Sequence, residues 1–309
     1  MSDSEVNETE ELKKVFSDIT PIPTVIVPDG ICITRLPPYF EVAVGYLRAC
    51  IESGEISKRV FDLTEKVIIM NSTFVSAWVT RQKCVLKMKV DLDYEWKFLD
   101  RVRDLNEKCY QTWMYRKFLV EYSGVYQNEK DYCDSYISED NKNIHSWSHR
   151  IWVVQRFDLY DGELEYTDKY IQEDVFNNSA WSHRFYVYTH IHPGTEDLEH
   201  ELDYVIQQLN IAPHNEAAWN YLYGLIRHYH GYCYNDLEYE VKQLLKKDPH
   251  NVPIRDFLIR YNMTCFSIPK IEEGITYCQE LEQEDRTRSA YWKNMEQRLN
   301  NDKQFLQTL

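Results

Sequence analysis

Two side chains close before Trp113 are candidates for binding an anion, because the sequence predicts that a helix begins beside them. Lys108 lies five residues before Trp113, and its ammonium would add to the favourable potential that a helix N-terminus offers an anion. Tyr110 follows two residues later, and its O–H can donate to the same group. A lysine at a helix start is in most proteins only solvated, so position alone does not establish a binding site.

The charge of the whole chain restricts the anions that such a site can serve. The 309 residues include 50 acidic residues against 35 Lys and Arg, which gives a formal net charge of −15. A field of this sign repels phosphate backbones and anionic lipid headgroups, so no nucleic-acid partner is expected. Any anionic ligand must therefore be held by a local cation such as Lys108.

Metal and disulfide chemistry find little support in the sequence. The eight cysteines are scattered without a CxxC pair, and there is no HExxH motif. The close pairs His190/His192 and His228/His230 lack nearby cysteines or a clear carboxylate set. We therefore expect no metal or other cofactor in this chain, and free thiols in a reducing compartment.

No signal-peptide pattern and no apolar run near the roughly 20 residues of a membrane helix occur, so we predict a soluble, cytoplasmic protein without a membrane span.

Five of the eight tryptophans recur at nearly constant spacing and define an internal repeat. They are Trp78, Trp113, Trp147, Trp181 and Trp219, separated by 35, 34, 34 and 38 residues. A period near 34 residues fits two helices of about 12 residues and two short loops. Short polar residues precede most of these tryptophans by four to seven positions and are suited to cap a helix. Each tryptophan is therefore predicted in the first turn or two of the second helix of a hairpin.

An arginine follows four of the five repeat tryptophans by three residues. The arginines are Arg81, Arg116, Arg150 and Arg184, and Leu222 stands at the fifth position. Residues three apart share one face of a helix, so the indole ring and the guanidinium can pack against the neighbouring repeat. We interpret these tryptophans and arginines as structural residues of the repeat.

The fold class predicted from this pattern is all-α, an α–α superhelix in which helical hairpins stack as a solenoid. One further hairpin is expected over 39–70, a pair of helices over about 235–262, and two last helices over about 268–300. Prolines in residues 1–38 disfavour both helix and central strand, so this segment is interpreted as an acidic start followed by an extended arm. Residues 39–309 would then form a single helical-repeat domain whose concave face binds another chain.

The residues around the tryptophans closely resemble one family. The segments are NEKCYQTWMYR (106–116), DNKNIHSWSHR (140–150), EDVFNNSAWSHR (173–184) and PHNEAAWNYL (213–222). They resemble the repeats of the α subunit of protein farnesyltransferase and type I geranylgeranyltransferase. The segments Asp18–Pro23 and Asp285–Trp292 look like the opening and closing segments of that family, so the resemblance covers nearly the whole chain.

This resemblance implies half of a heterodimeric enzyme that is inactive without its β subunit. The reaction transfers a farnesyl or geranylgeranyl group from its diphosphate to the cysteine of a C-terminal CaaX motif in a substrate protein. The β subunit is implied to hold zinc, and magnesium is left open for the complex. Lys108 and Tyr110 are implied to reach the diphosphate, Gln111 to bind the substrate's terminal carboxylate, and Asn143 and His145 to lie beside the active-site mouth.

Three positions depart from the family pattern. Val75 and Ile144 stand where the family usually has tyrosine, so the expected peptide-facing surface lacks two hydroxyls. Cys109 replaces the usual asparagine before Tyr110. All three are equally compatible with neutral packing changes and with an altered peptide preference.

Two alternatives stay open at this point. The α subunit of the Rab-type geranylgeranyltransferase shares the repeat, and a non-catalytic helical-repeat scaffold could retain the tryptophans and arginines without the site. The KNxHxW, EDVxNNSxW and PHNExAW forms favour the CaaX-type enzymes. The lipid length and the preferred CaaX sequence would be set by the β subunit, and the role of residues 1–17 is undetermined by the sequence.

Overall fold

The computed structural model describes residues 3–24, 36–192, 194–229 and 236–308, with the side chains of residues 3–5 and 104 left aside. Within these residues every regular element is a helix, and the predicted all-α class is confirmed. The chain forms two compact units, Met1–Tyr132 and Cys133–Leu309. The prediction of one repeat domain over 39–309 stays a prediction.

Within the described residues of unit 1 there are six helices and the start of a seventh. They are α1 (Asp3–Val15), α2 (Pro38–Ser53), α3 (Lys58–Met70), α4 (Val75–Met88), α5 (Leu92–Leu105), α6 (Tyr110–Ser123) and α7 (Glu129–Glu139), the last of which continues into unit 2. Successive helices pack in pairs, and α4 also packs against α6. Their apolar faces enclose one core that runs from Leu12 to Leu119. The hairpin predicted over 39–70 is confirmed by α2 and α3.

The expectation of a non-helical start is wrong for Asp3–Val15, which forms α1. Thr9 and Leu12 in this helix, and Phe16 just after it, are buried at helical spacing against unit 1. The prolines that disfavour helix begin only at Pro21, so nothing interrupts the helix before that point. The N–H of Ile22 donates to the carbonyl of Gly45 at 3.0 Å, which fastens the following segment to α2. The rest of the predicted arm, residues 25–35, lies outside the described residues.

Unit 2 continues the hairpins. Its helices after α7 are α8 (Ile144–Phe157), α9 (Glu163–Glu173), α10 (Asn178–Ile191), α11 (Leu198–Ile211), α12 (Glu216–His228), α13 (Leu237–Lys247), α14 (Val252–Thr264), α15 (Ile268–Glu284) and α16 (Ser289–Gln307), with a 3₁₀ turn at Arg286–Arg288. The second helices α8, α10, α12 and α14 pack one after another. The helices predicted near 235–262 and 268–300 are confirmed.

The tryptophan is the fourth residue of the second helix in each of the five repeats, as the spacing predicts. Each indole Nε1 donates to the carbonyl six residues earlier, at 2.7 to 3.1 Å. The accepting residues are Ser72, Glu107, Asn141, Val175 and Pro213. The ring is therefore fixed to the loop that precedes its own helix.

The same loop carbonyls also join neighbouring repeats. In unit 2, Asn177 donates to the carbonyl of Asn141 at 2.8 Å, and Asn215 donates to that of Val175 at 2.6 Å. Both asparagines also cap their own helices, because their side-chain oxygens accept from first-turn N–H groups. One carbonyl thus accepts from the tryptophan of its own repeat and from the asparagine of the next.

Every helix within the described ranges is too short or too polar to cross a lipid bilayer.

Candidate functional site

The N-terminus of α6 carries three of the residues that the sequence singled out. The N–H of Asn106 bonds to carbonyls at the end of α5, and the N–H of Cys109 bonds back to Asn106 at 3.2 Å, which forms a tight turn. Lys108 lies in this turn and is exposed, one residue before the N-cap position of α6. Tyr110 is the first residue of the helix and is 58% exposed, while Gln111 is half-buried. The structure therefore brings these three side chains to one helix start.

Cys109 stands where the family usually has asparagine, and it performs only one of the two functions that the equivalent Asn177 has in its own repeat. Its thiol is buried and donates to the carbonyl of Ser72 at 3.1 Å, the same carbonyl that accepts from Trp78. It supplies no side-chain cap to α6, whereas Asn143 and Asn177 cap their helices. The thiol also lies 3.4 Å from Oε1 of Gln111, in donor geometry. Cys109 is thus a packing change that keeps the inter-repeat bond and loses the cap.

We expect Cys109→Asn to raise the free energy of unfolding by about 1 kcal/mol, because an amide would restore the cap and donate more strongly than a thiol. The measurement is the shift of the urea midpoint. The reverse exchange, Asn177→Cys, is the matched control and is expected to lower stability by a similar amount. A lower midpoint for Cys109→Asn would mean that the space beside Ser72 does not accept an amide.

The third repeat holds the other two predicted site residues, and these lie in unit 2. Asn143 is buried and caps α8, since its Oδ1 accepts from the N–H of His145 at 3.0 Å and of Ser146 at 3.4 Å. The His145 side chain is half-buried. Lys142 forms an ion pair with Asp174 at 2.6 Å, and this bond holds the pKa of Asp174 below its usual range. The Asn143 amide is therefore engaged in shaping the helix start, and its role toward a substrate stays a prediction.

The other two departures from the family pattern lie on the surface. Val75 is the first residue of α4 and 54% exposed, and Ile144 is the first residue of α8 and 67% exposed. Neither side chain is part of the core of its unit. An effect of these residues on a bound partner or substrate is therefore physically possible, whereas a core-packing explanation fits only Cys109.

Each repeat arginine is held by a glutamate from the next hairpin. The pairs are Arg81–Glu95, Arg116–Glu129, Arg150–Glu163 and Arg184–Glu201, all with two parallel N–H···O bonds of 2.7 to 2.9 Å. Each guanidinium also lies over an aromatic ring, as Arg150 does over Tyr166 at 3.5 Å. Burial by itself would lower the pKa of Arg184, but the bonds to Glu201 outweigh this effect and keep it charged. These buried pairs fit a structural role for the arginines.

The glutamates carry a further partner that sequence reasoning missed. Tyr115 donates to Glu95, His183 Nε2 lies 2.7 Å from Glu163 Oε2, and Tyr221 donates to Glu201 at 2.6 Å. Each partner stands two residues after a repeat tryptophan, 20 residues beyond its glutamate. A signal was available, because each glutamate lies in the first turn of its helix.

Within the described residues, no group of three or more His, Cys, Asp and Glu side chains is arranged to hold a metal ion. That this chain carries no metal stays a prediction.

Comparison with known proteins places these repeats in a family. The model of the protein prenyltransferase alpha subunit repeat matches residues 126–157, 160–191 and 198–229. The protein farnesyltransferase/geranylgeranyltransferase type-1 subunit alpha of Dictyostelium discoideum is 34% identical over 223 residues, which are 69% of this chain and 69% of that protein. The chain belongs to the protein prenyltransferase α-subunit family. The family resemblance found in the sequence is thereby confirmed.

Other members of the α-subunit family match over shorter stretches. The subunits of the same name from Schizosaccharomyces pombe and Pisum sativum are 31% and 32% identical, over 41% and 31% of this chain. These alignments span 43% and 28% of the relatives' own length, less than two thirds. A chain of Candida albicans protein geranylgeranyltransferase-I complexed with GGPP superposes with a TM-score of 0.73 at 29% identity, covering 92% of this chain and 98% of that one.

Proposed function

We propose that this chain is the α subunit of a heterodimeric protein prenyltransferase. The enzyme would transfer a farnesyl or geranylgeranyl group from its diphosphate to the cysteine of a C-terminal CaaX motif. The observation that carries this proposal is the alignment with the Dictyostelium discoideum subunit over 69% of both proteins. The Candida albicans neighbour, a geranylgeranyltransferase-I complexed with GGPP, supports the same substrate class.

Lys108 is the residue through which this chain would act on the reaction. The departing diphosphate gathers negative charge as its C–O bond breaks, and a cation placed there lowers the barrier. Lys108 is exposed at the start of α6, where the helix N-terminus adds a favourable potential for anions. Tyr110 is exposed beside it and would donate its O–H to the same group. Gln111, Asn143 and His145 are proposed as further substrate-binding residues.

The β subunit would bind where the second helices expose apolar side chains. On α4, Val75 and Val79 are both more than two fifths exposed, and Tyr110 and Met114 repeat this pattern on α6. Residues four apart share one helix face, so each pair presents an apolar strip to the outside. Exposed apolar strips of this kind mark interaction surfaces. Asn178 and Glu216 are polar at the matching position of α10 and α12, so the apolar strips belong to the earlier repeats.

Zinc is assigned to the β subunit, where it would favour the thiolate form of the substrate cysteine. Magnesium beside the diphosphate is left open for the complex. We place the enzyme in the cytoplasm, where its free thiols would persist.

Two other functions were raised by the sequence. The three relatives carry the farnesyltransferase/geranylgeranyltransferase type-1 name, which supports the CaaX-type over the Rab-type enzyme. A non-catalytic scaffold would have no need of Lys108 and Tyr110 exposed together at one helix start.

Co-expression with candidate β chains tests the proposal. We expect a stable heterodimer that transfers a C15 or C20 group to a CaaX peptide, and no transfer by this chain alone. The control replaces the peptide cysteine with serine. A well-behaved monomer that pairs with no β chain would support the scaffold, and transfer only with an escort protein would support the Rab-type subunit.

A further inference from the structure

The repeat that ends at Trp219 is longer than its neighbours and contains a cleft. Trp181 and Trp219 are 38 residues apart, against 34 for the two preceding intervals. Helix α11 has 14 residues where α9 has 11, so Glu201 is its fourth residue whereas Glu163 is the first of α9. Asp197, His200 and Tyr204, from α11 and the residue before it, line one side of a cleft beside α9 and α10. A cavity of about 520 Å³ opens between these three helices, a size that suits a small organic ligand or a peptide side chain.

Four carboxylates line this cleft against one arginine. Arg184 is held in two bonds by Glu201 at the buried floor, so these two charges cancel. Glu165, Asp168 and Asp197 remain. One oxygen of Asp168, Oδ1, accepts from Tyr204 at 2.6 Å and from Gln172 at 3.4 Å, and its Oδ2 is the oxygen that would face a ligand. His192, whose Nδ1 lies 3.1 Å from Asp197, and His200 also line the cleft. Ionised carboxylates can only accept hydrogen bonds, so a ligand of this cleft must donate them.

Tyr188 supplies a second and independent indication of a ligand. Its side chain lines the cleft and is 3% exposed, yet its hydroxyl has no hydrogen-bond partner in the part of the chain that the structure describes. Buried tyrosine hydroxyls are normally bonded, as Tyr221 is to Glu201 and Tyr229 is to a backbone carbonyl. Burial, and next the charge of Glu201, raise the pKa of Tyr188, so its hydroxyl stays protonated. The oxygen of that hydroxyl can accept a hydrogen bond from a donor bound in the cleft.

The donor is an organic cation and not a metal ion. No set of three or more His, Cys, Asp and Glu side chains in the described ranges is arranged for a metal ion. An ammonium group instead carries three N–H donors and one positive charge on a narrow stem. These donors suit the carboxylates of Asp168 and Asp197 and the phenolic oxygen of Tyr188, which all line the cleft.

We propose that this cleft binds an alkylammonium group, which donates to Asp168, Asp197 and the Tyr188 hydroxyl. The group would come either from a free polyamine or from a lysine side chain of a peptide. The proposal goes beyond prenyl transfer and does not depend on it. No bond is made or broken in this step.

Calorimetric titration of the full-length chain at low salt tests the proposal, and the same titration is made on its complex with a β subunit when that complex forms. The probes are spermidine and an acetylated, amidated tri-lysine peptide, with a tri-glutamate peptide as the control. Binding of spermidine alone assigns a free polyamine, and binding of the lysine peptide assigns a side chain. Binding of neither cation overturns the proposal. Because heat is read without any transfer reaction, this result is separate from the test of prenyltransferase activity.

Variants locate the binding in the cleft. Asp168→Asn and Asp197→Asn should each weaken cation binding about five- to tenfold, since each removes one charge near the ammonium. Asp302→Asn removes an exposed carboxylate of α16 that does not line the cleft, and should change binding less than twofold. Equal weakening by all three variants, or none by the first two, overturns the assignment and leaves only general attraction to an acidic protein.

Tyr188→Phe separates binding from packing. In the empty protein this change removes an unbonded buried hydroxyl, so the unfolding temperature should stay the same or rise. With the cation present, the stabilisation should be smaller than in the unchanged protein, with binding weaker by about threefold or more. A lower unfolding temperature without ligand would show that the hydroxyl serves the fold itself, which overturns its part in the proposal.

Discussion

Lys108→Ala in the assembled heterodimer is expected to lower turnover by about ten- to a thousandfold, on the order of 1.4–4 kcal/mol of transition-state stabilisation. The ammonium acts where negative charge develops on the leaving diphosphate. Its loss therefore raises the activation barrier more than it weakens binding of the isoprenoid diphosphate in the ground state. Binding of the isoprenoid diphosphate should weaken much less. The measurement is the single-turnover rate of transfer to a CaaX peptide, together with the dissociation constant of the diphosphate.

Lys83→Ala is the matched control, because Lys83 is an exposed lysine on α4 of the same unit and changes the net charge equally. Lys83→Ala should leave the single-turnover rate and the dissociation constant of the diphosphate within about twofold of the values for the unchanged enzyme. An unchanged single-turnover rate in Lys108→Ala would remove this lysine from the mechanism. An equal loss in both variants would indicate a general charge effect on the acidic protein.

Trp181→Ala is expected to lower the free energy of unfolding by roughly 3–5 kcal/mol. The ring is 1% exposed, packs 5.2 Å from the ring of Tyr221, and donates to the carbonyl of Val175 at 2.8 Å. Its removal leaves a cavity between α10 and α12 and deprives that carbonyl of one of two donors. The measurement is denaturant unfolding of the heterodimer, and the fraction that folds should transfer prenyl groups at the normal rate.

Tyr239→Ala provides the control for this loss, since Tyr239 is an aromatic residue of the same unit that is 65% exposed. Its effect should stay within about 0.5 kcal/mol. Trp147→Ala should behave like Trp181→Ala, because both indoles occupy the same place in their repeats. A stable Trp181→Ala protein with slowed turnover would contradict a purely structural role for the ring.

The repeat itself was predictable because its markers are local. A large ring four residues after a capping side chain places both on one helix start, and both stand at fixed spacing. Asn177 and Trp181 show this within a single stretch of five residues. The same reasoning located Lys108 at the start of α6, because Lys108 stands five residues before Trp113 and the tryptophan marks the first turn of the helix.

The partners of the arginines were not predictable in the same way. Arg150 pairs with Glu163, 13 residues later, whereas Arg184 pairs with Glu201, 17 residues later. The difference arises because the connection before α11 is one residue longer than that before α9, and Glu201 is the fourth residue of α11 whereas Glu163 is the first of α9. Counted forward from the arginine, this variable spacing does not single out one of the 50 acidic residues. The constant signal is instead the distance to the next tryptophan, since Glu163 and Glu201 both stand 18 residues before a repeat tryptophan. The role of Cys109 was hidden for a related reason, since its acceptor lies 37 residues earlier in the chain.

The loop carbonyls that serve two donors have a consequence for synthesis on the ribosome. The tryptophan donor to such a carbonyl lies six residues away, while the asparagine donor follows after 36 residues for Asn141 and 40 for Val175. When a hairpin leaves the exit tunnel, its loop carbonyl can already accept from the tryptophan of the same repeat. The hydrogen bond from the asparagine of the next repeat forms only after that repeat has been synthesised. The chain would gain stability stepwise from its N-terminus, and the repeat that emerged most recently would be the least stable part of the nascent protein.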